Sequence, residues 1–161
     1  MDDKTASATS GFKGGVRWGA VAFGWALAVL TGIVVSIILR QIYGLIAEPP
    51  VERGAFTAAV VVVSLVSGFL SYLVGGYAAA RTARYAGGRH GALTAVFGLI
   101  AGVILAIILA FFGIVFVEGV AVPPAAFGPI GAAWAAGLIL FLVNLFGGFV
   151  GGKLGEPITR T

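Results

Sequence analysis

The chain has 161 residues, 60% of them hydrophobic and only 10% charged, with a mean hydropathy of +1.09. That composition lies outside the range of soluble globular domains. The absence of cysteine removes disulfide frameworks, thiolate metal sites and thiol catalysis.

A tail, residues 1–17, precedes the first apolar stretch, Trp18–Leu39. That stretch leads into three more, Ala55–Ala79, Ala92–Val117 and Ile130–Val150, and a second tail, residues 151–161, closes the chain. A helix needs about 20 apolar residues to cross a hydrocarbon core of about 30 Å, and each stretch reaches that length. They are apolar on all faces, as lipid-exposed helices must be. The first is too long for a signal-peptide core and has no clear small-x-small cleavage site, so it reads as a retained signal anchor. The fold expected is all-α, an integral membrane bundle of four antiparallel transmembrane helices over residues 18–150.

Charge in the connections sets the expected orientation. Lys4, Lys13 and Arg17 lie in the first tail, Arg81, Arg84 and Arg89 in the second connection, and Lys153 and Arg160 in the last tail. The first and third connections hold only Arg40 and Arg53 among Glu48, Glu52 and Glu118. Basic segments resist translocation, so both termini and the second connection are expected in the cytoplasm. The net charge of +4 then faces anionic lipid headgroups rather than nucleic acid. Trp18, Trp25, Tyr43, Tyr72 and Tyr77 lie near span ends or within helix interiors, where interfacial anchoring and helix packing both suit them.

The second and fourth spans share a pattern. Phe69–Arg81 laid over Phe141–Lys153 matches Phe-Leu, a Leu, Gly-Gly, an aromatic and a closing basic residue. Pro49-Pro50 lies over Pro123-Pro124 and Phe23-Gly24 over Phe97-Gly98, so two tandem helical hairpins are expected. Small residues recur four apart in every span: Gly24, Ala28, Gly32 and Ser36; Ser67, Ser71, Gly75 and Ala79; Gly98, Gly102, Ala106 and Ala110; Gly147, Gly151 and Gly155 beside Gly148 and Gly152. Such ridges let backbones approach inside lipid, which predicts a tightly packed bundle with a face available for self-association.

Residues suited to chemistry are few. His90 sits in Gly87-Gly88-Arg89-His90-Gly91, without a second His, a Cys or an intramembrane carboxylate to complete a site, and reads as an interfacial residue or a helix-terminus contact. No catalytic residue, metal ligand or cofactor is expected, and the chain does not read as an enzyme. Asn144, midway along the fourth span, is the strongest polar residue there; Thr31, Ser36, Ser64, Ser67, Ser71, Tyr72 and Thr94 are weaker ones. A buried amide must find a partner, which makes Asn144 an inter-helix tie or the lining residue of a pore. Arg17, Arg81, Arg84, Arg89 and Lys153 share one membrane face and could contact anionic lipid headgroups.

Val74-Gly75-Gly76-Tyr77-Ala78-Ala79-Ala80-Arg81-Thr82-Ala83-Arg84, followed by Gly87-Gly88 and His90-Gly91-Ala92-Leu93, resembles the junction of the second and third helices in small four-helix bacterial membrane proteins of unknown function, the YrzE-like group. The resemblance implies a bacterial cytoplasmic membrane and four helices, and no activity. Gly14–Ala20 and Val143–Gly148 are also similar to fragments of small four-helix fluoride channels. In that family the Asn segment belongs to the second helix, and its Thr-Thr-Phe-Ser stretch is absent here, so that activity is not carried over. Two functions are expected from different classes: a non-catalytic structural or accessory membrane protein, or a small channel or transporter subunit with its path near Asn144.

Overall fold

A computed structural model describes residues 15–46, 58–116 and 130–157 of the chain. The glutamates and paired prolines of the first and third connections, and the outer parts of both tails, lie outside the described residues. Four helices make up the fold: α1 (Trp18–Ile46), α2 (Ala58–Ala83), α3 (Gly87–Phe116) and α4 (Ile130–Gly155). Each is long and apolar enough to cross a membrane. At 1.5 Å per residue, 26 to 30 residues make helices of about 39 to 45 Å, longer than the hydrocarbon core.

The helices begin and end where caps or close packing allow, and several ends differ from the hydropathy boundaries. α1 continues past Leu39 to Ile46 and α4 past Val150 to Gly155. The twelve-residue connection expected between the second and third spans shrinks to Arg84, Tyr85 and Ala86. Arg84 takes φ 67° and its N–H donates to the Ala80 carbonyl at 2.8 Å, the left-handed cap that closes α2. Ala86 takes φ 45°, a conformation costing a non-glycine residue about 1–2 kcal/mol. Its carbonyl then receives the His90 N–H at 3.1 Å, opening α3. Pro157, following Glu156, lies just beyond the end of α4.

α1 and α4 barely touch, whereas α2 packs on all three other helices and α3 does the same. The bundle is therefore a diamond with α2 and α3 across its short diagonal. α1 runs antiparallel to α2, with Gly24 seated on Gly75 and Ala79. α4 runs parallel to α2, its most extensive neighbour: Gly147, Gly151 and Gly155 lie in turn over the carbonyls of Phe69, Leu73 and Tyr77. The alternate glycines of α4, Gly148 and Gly152, press on Gly91 and Gly87 of antiparallel α3. Gly147 and Gly151 thus serve α2, Gly152 serves α3, and Gly148 meets both Gly91 of α3 and Gly76 of α2. A Cβ at these positions would strike backbone, which is why the segment is glycine rather than alanine.

Close packing gathers at one end. Among the described residues the buried apolar ones are Ala20, Val21, Ala28, Ala78, Ala79, Ala80, Ala83 and Ala95, mostly alanine and mostly near the end carrying Arg17, Arg81, Arg84, Arg89 and Lys153. We call this the basic end. Toward the opposite end the helices separate. Ile100, Val103, Ile104 and Ile107 on α3 are more than half exposed, and Gly102 and Gly137 have nothing within 4 Å of an added Cβ. Large apolar side chains on the outer surfaces of all four helices, among them Leu30, Ile37, Val62 and Leu142, are suited to lipid contact.

Candidate functional site

Among the described residues, two regions hold most of the polar side chains. At the basic end the short stretch before α1 is fastened to the α2–α3 turn. The Arg17 main-chain N–H donates to His90 Nε2 at 3.1 Å, and His90 Nδ1 lies 3.1 Å from the Ala86 carbonyl. Nε2 accepts, so Nδ1 carries the proton and the ring is held as a neutral tautomer. His90 is only 1% exposed, and Tyr85 packs edge-on against its ring at 5.1 Å between centroids. The Tyr85 hydroxyl donates to the Gly15 carbonyl. The Arg17 guanidinium reaches the carbonyls of Thr82 and Ala83 at 3.3 and 3.5 Å, meeting acceptors left open at the end of α2. The sequence offered His90 as an interfacial residue or a helix-terminus contact; it lies in the first turn of α3, where it is a sealed tie between three segments.

The five expected cations do lie at this end and are all exposed, but their roles divide. Arg17 is the cap just described. Arg81 donates to the Tyr77 hydroxyl at 3.0 and 2.9 Å and lies 5.3 Å from its ring centroid. Lys153 pairs with Glu156 at 3.6 Å, a solvated pair worth little by itself. Arg84 and Arg89 point their charges outward from the turn and from the first turn of α3.

The second region lies at mid-depth, where the bundle starts to open. A cavity of about 400 Å³ lies between α1, α2 and α4, with Ser36, Ser64, Ser67, Ser71, Tyr72 and Asn144 as its polar lining. The apolar lining includes Val29, Ile33, Val63 and Leu140. Ser67 donates to the Gly32 carbonyl at 3.4 Å, tying α2 to α1, and Ser71 donates to the Ser67 carbonyl. Ser36 donates to the Ile33 carbonyl at 3.0 Å. Asn144 comes into place because Gly68, facing it on α2, has no side chain: a Cβ there would collide with Oδ1. That oxygen is buried without a hydrogen-bond partner. Thr31 lies on α1 without belonging to this lining, and Thr94 on α3 is spent on the His90 carbonyl at 2.9 Å.

Below the cavity, toward the basic end, the helices close. Gly98 leaves room for the Tyr72 hydroxyl and for Trp25, whose ring meets Phe97 edge-on at 5.5 Å. One turn further, Gly24 and Gly75 approach each other's carbonyls and Gly76 meets Gly148. The polar space is thus blind toward the basic end. No group of three or more His, Cys, Asp or Glu able to hold a metal occurs among the described residues.

No family model, curated protein or solved structure matches this chain. What the molecule does therefore has to be argued from these two regions. The chain is a multi-pass membrane protein of four packed helices.

Proposed function

We propose that the chain is a non-catalytic structural or accessory protein of the bacterial cytoplasmic membrane, with both termini in the cytoplasm. The observation that carries this reading is the basic end. There His90, Arg17, Tyr85 and Thr94 spend their polar groups on backbone, and glycine admits backbone against backbone on both sides of α4. Such a joint holds a scaffold rigid. Arg84 and Arg89 carry the contact with anionic headgroups, each exposed cation adding about 1 kcal/mol near an anionic leaflet. Gly102 and Gly137, with open space beside them, are the small residues left for contact between copies.

The two hairpins are taken as tandem copies, and the junction sequence as related to the YrzE-like group. The parallel run of α2 beside α4 supports the first reading, as does the meeting of Gly76 with Gly148, which the repeat aligns. The copies have diverged in use: Gly147 faces α2, whereas its counterpart Gly75 faces α1.

A channel or transporter subunit is the second reading, favoured by the polar cavity at Asn144. Liposomes containing purified protein separate the two. Flux of a panel of ions and small solutes at the level of protein-free liposomes is expected. Flux that Asn144→Leu abolishes would replace the scaffold reading with the channel reading. For the rim, retention of phosphatidylglycerol over phosphatidylcholine in native mass spectra should fall in Arg84→Gln/Arg89→Gln and stay level in Arg17→Gln. Equal retention in all three would remove the headgroup contact.

A further inference from the structure

The cavity between α1, α2 and α4 has features that a helical joint does not require. Its volume of about 400 Å³ falls within the range of small-molecule sites, about 300–1,000 Å³. It is open on one side, a groove between helices and not an enclosed void. Gly32 and Gly68 bring Ser71 and Asn144 to its wall, and serines stand where leucine or phenylalanine would fill it.

The lining also selects a chemistry. None of its residues is ionisable near neutral pH, so an anion or a cation would lie at mid-membrane without a counter-charge. Three of its hydroxyls, Ser36, Ser67 and Ser71, already donate to backbone carbonyls. Their oxygens keep free lone pairs and act toward a guest as acceptors. Asn144 adds an amide whose oxygen is buried and unmet. Between these groups lie the aliphatic walls formed by Val29, Ile33, Val63 and Leu140.

Access is from the side. α1 and α4 barely touch, and the outer half of α3 does not line the cavity. The path toward the basic end is closed by Tyr72, Trp25 and the glycine contacts. A guest therefore enters and leaves on the same side of that closure, which is the behaviour of a binding pocket and not of a conduit.

We propose that this cavity is a binding site for a small uncharged amphiphile that reaches it through the lipid, bearing a hydrogen-bond donor such as a hydroxyl on a short apolar body. The donor meets the serine oxygens, and the body lies along the aliphatic walls. The site is independent of the scaffold reading: a protein that conducts nothing can still hold the guest, and a missing guest leaves the rigid basic end as it is.

The probe is an eight-carbon primary alcohol carrying a diazirine, photolysed with the protein in nanodiscs, with adducts located by peptide mass spectrometry. The control is the same chain with the hydroxyl replaced by hydrogen. Adducts are expected on the segments holding Gly32–Ser36, Val63–Tyr72 and Leu140–Asn144, competed by unlabelled octanol. Loss of one hydrogen bond, as in Ser36→Ala, should weaken this labelling about tenfold. Ser64→Leu, which fills the space without touching a recorded hydrogen bond, should weaken it equally while helicity and monodispersity are kept. The proposal is overturned if the alkane control labels the same segments as strongly. It is overturned equally if labelling spreads over the outer faces of α1 and α3, or if it persists in both variants, since the cavity would then hold water alone.

Discussion

His90 shows how much of this molecule depends on single side chains meeting backbone. Its ring accepts the Arg17 N–H, faces the Ala86 carbonyl and supports Tyr85, so one residue joins the start of α1, the turn and α3. Replacing it with alanine leaves a cavity and an orphaned N–H together. His90→Ala should lower stability by about 2–4 kcal/mol, read from loss of helicity in a mixed-micelle SDS titration. His90→Gln, which can still accept a hydrogen bond, should recover part of that loss. Asn144 predicts the reverse sign. Its oxygen has no partner, so Asn144→Leu, of similar shape, should leave stability unchanged or raise it in the same titration.

At the scale of the helix, glycines with the same spacing have different weight. Gly148 touches Gly76 on α2 and Gly91 on α3, whereas Gly102 of α3 has no neighbour within reach of an added Cβ. Gly148→Ala forces backbones apart and should destabilise by about 1–3 kcal/mol. Gly102→Ala should be neutral or stabilising by up to about 1 kcal/mol, because alanine favours the helix. Equal effects from the two substitutions would refute the packing described. This contrast also marks what could be read from the chain beforehand. Four spans and their order follow from unbroken apolar runs, which no alternative fold could bury. The ends of α2, α3 and α4 do not. Ala80, Ala83, Gly87, Gly91, Gly151 and Gly155 are small and lie beside arginine or lysine, so by hydropathy they resemble a connection. Only their fit against a neighbouring backbone keeps them helical. The role of His90 was hidden for a related reason: its partner is a main-chain N–H 73 residues away, which carries no side-chain signature. Asn144 and the serines stood out singly, but the space they enclose depends on how α1 and α4 diverge.

For the whole molecule, the absence of cysteine gives a clean background for mapping topology. Single cysteines placed at Lys4, Tyr85 and Thr161 should react with an impermeant maleimide only from the cytoplasmic side, and one at Val51 only from outside. Reaction of Tyr85→Cys from the outside would invert the orientation argued from the basic residues. The unequal ends have a consequence for the surrounding bilayer. Side chains are small and backbones touch where the bundle is basic, whereas the large apolar side chains of α3 between Leu99 and Phe111 stand largely exposed, so the described bundle packs more tightly at its basic end. A bundle packed tightly at one end and loosely at the other tapers, and it fits best where the basic end lies on the concave side of the membrane. In tubes drawn from giant vesicles, it should concentrate where that curvature has the matching sign.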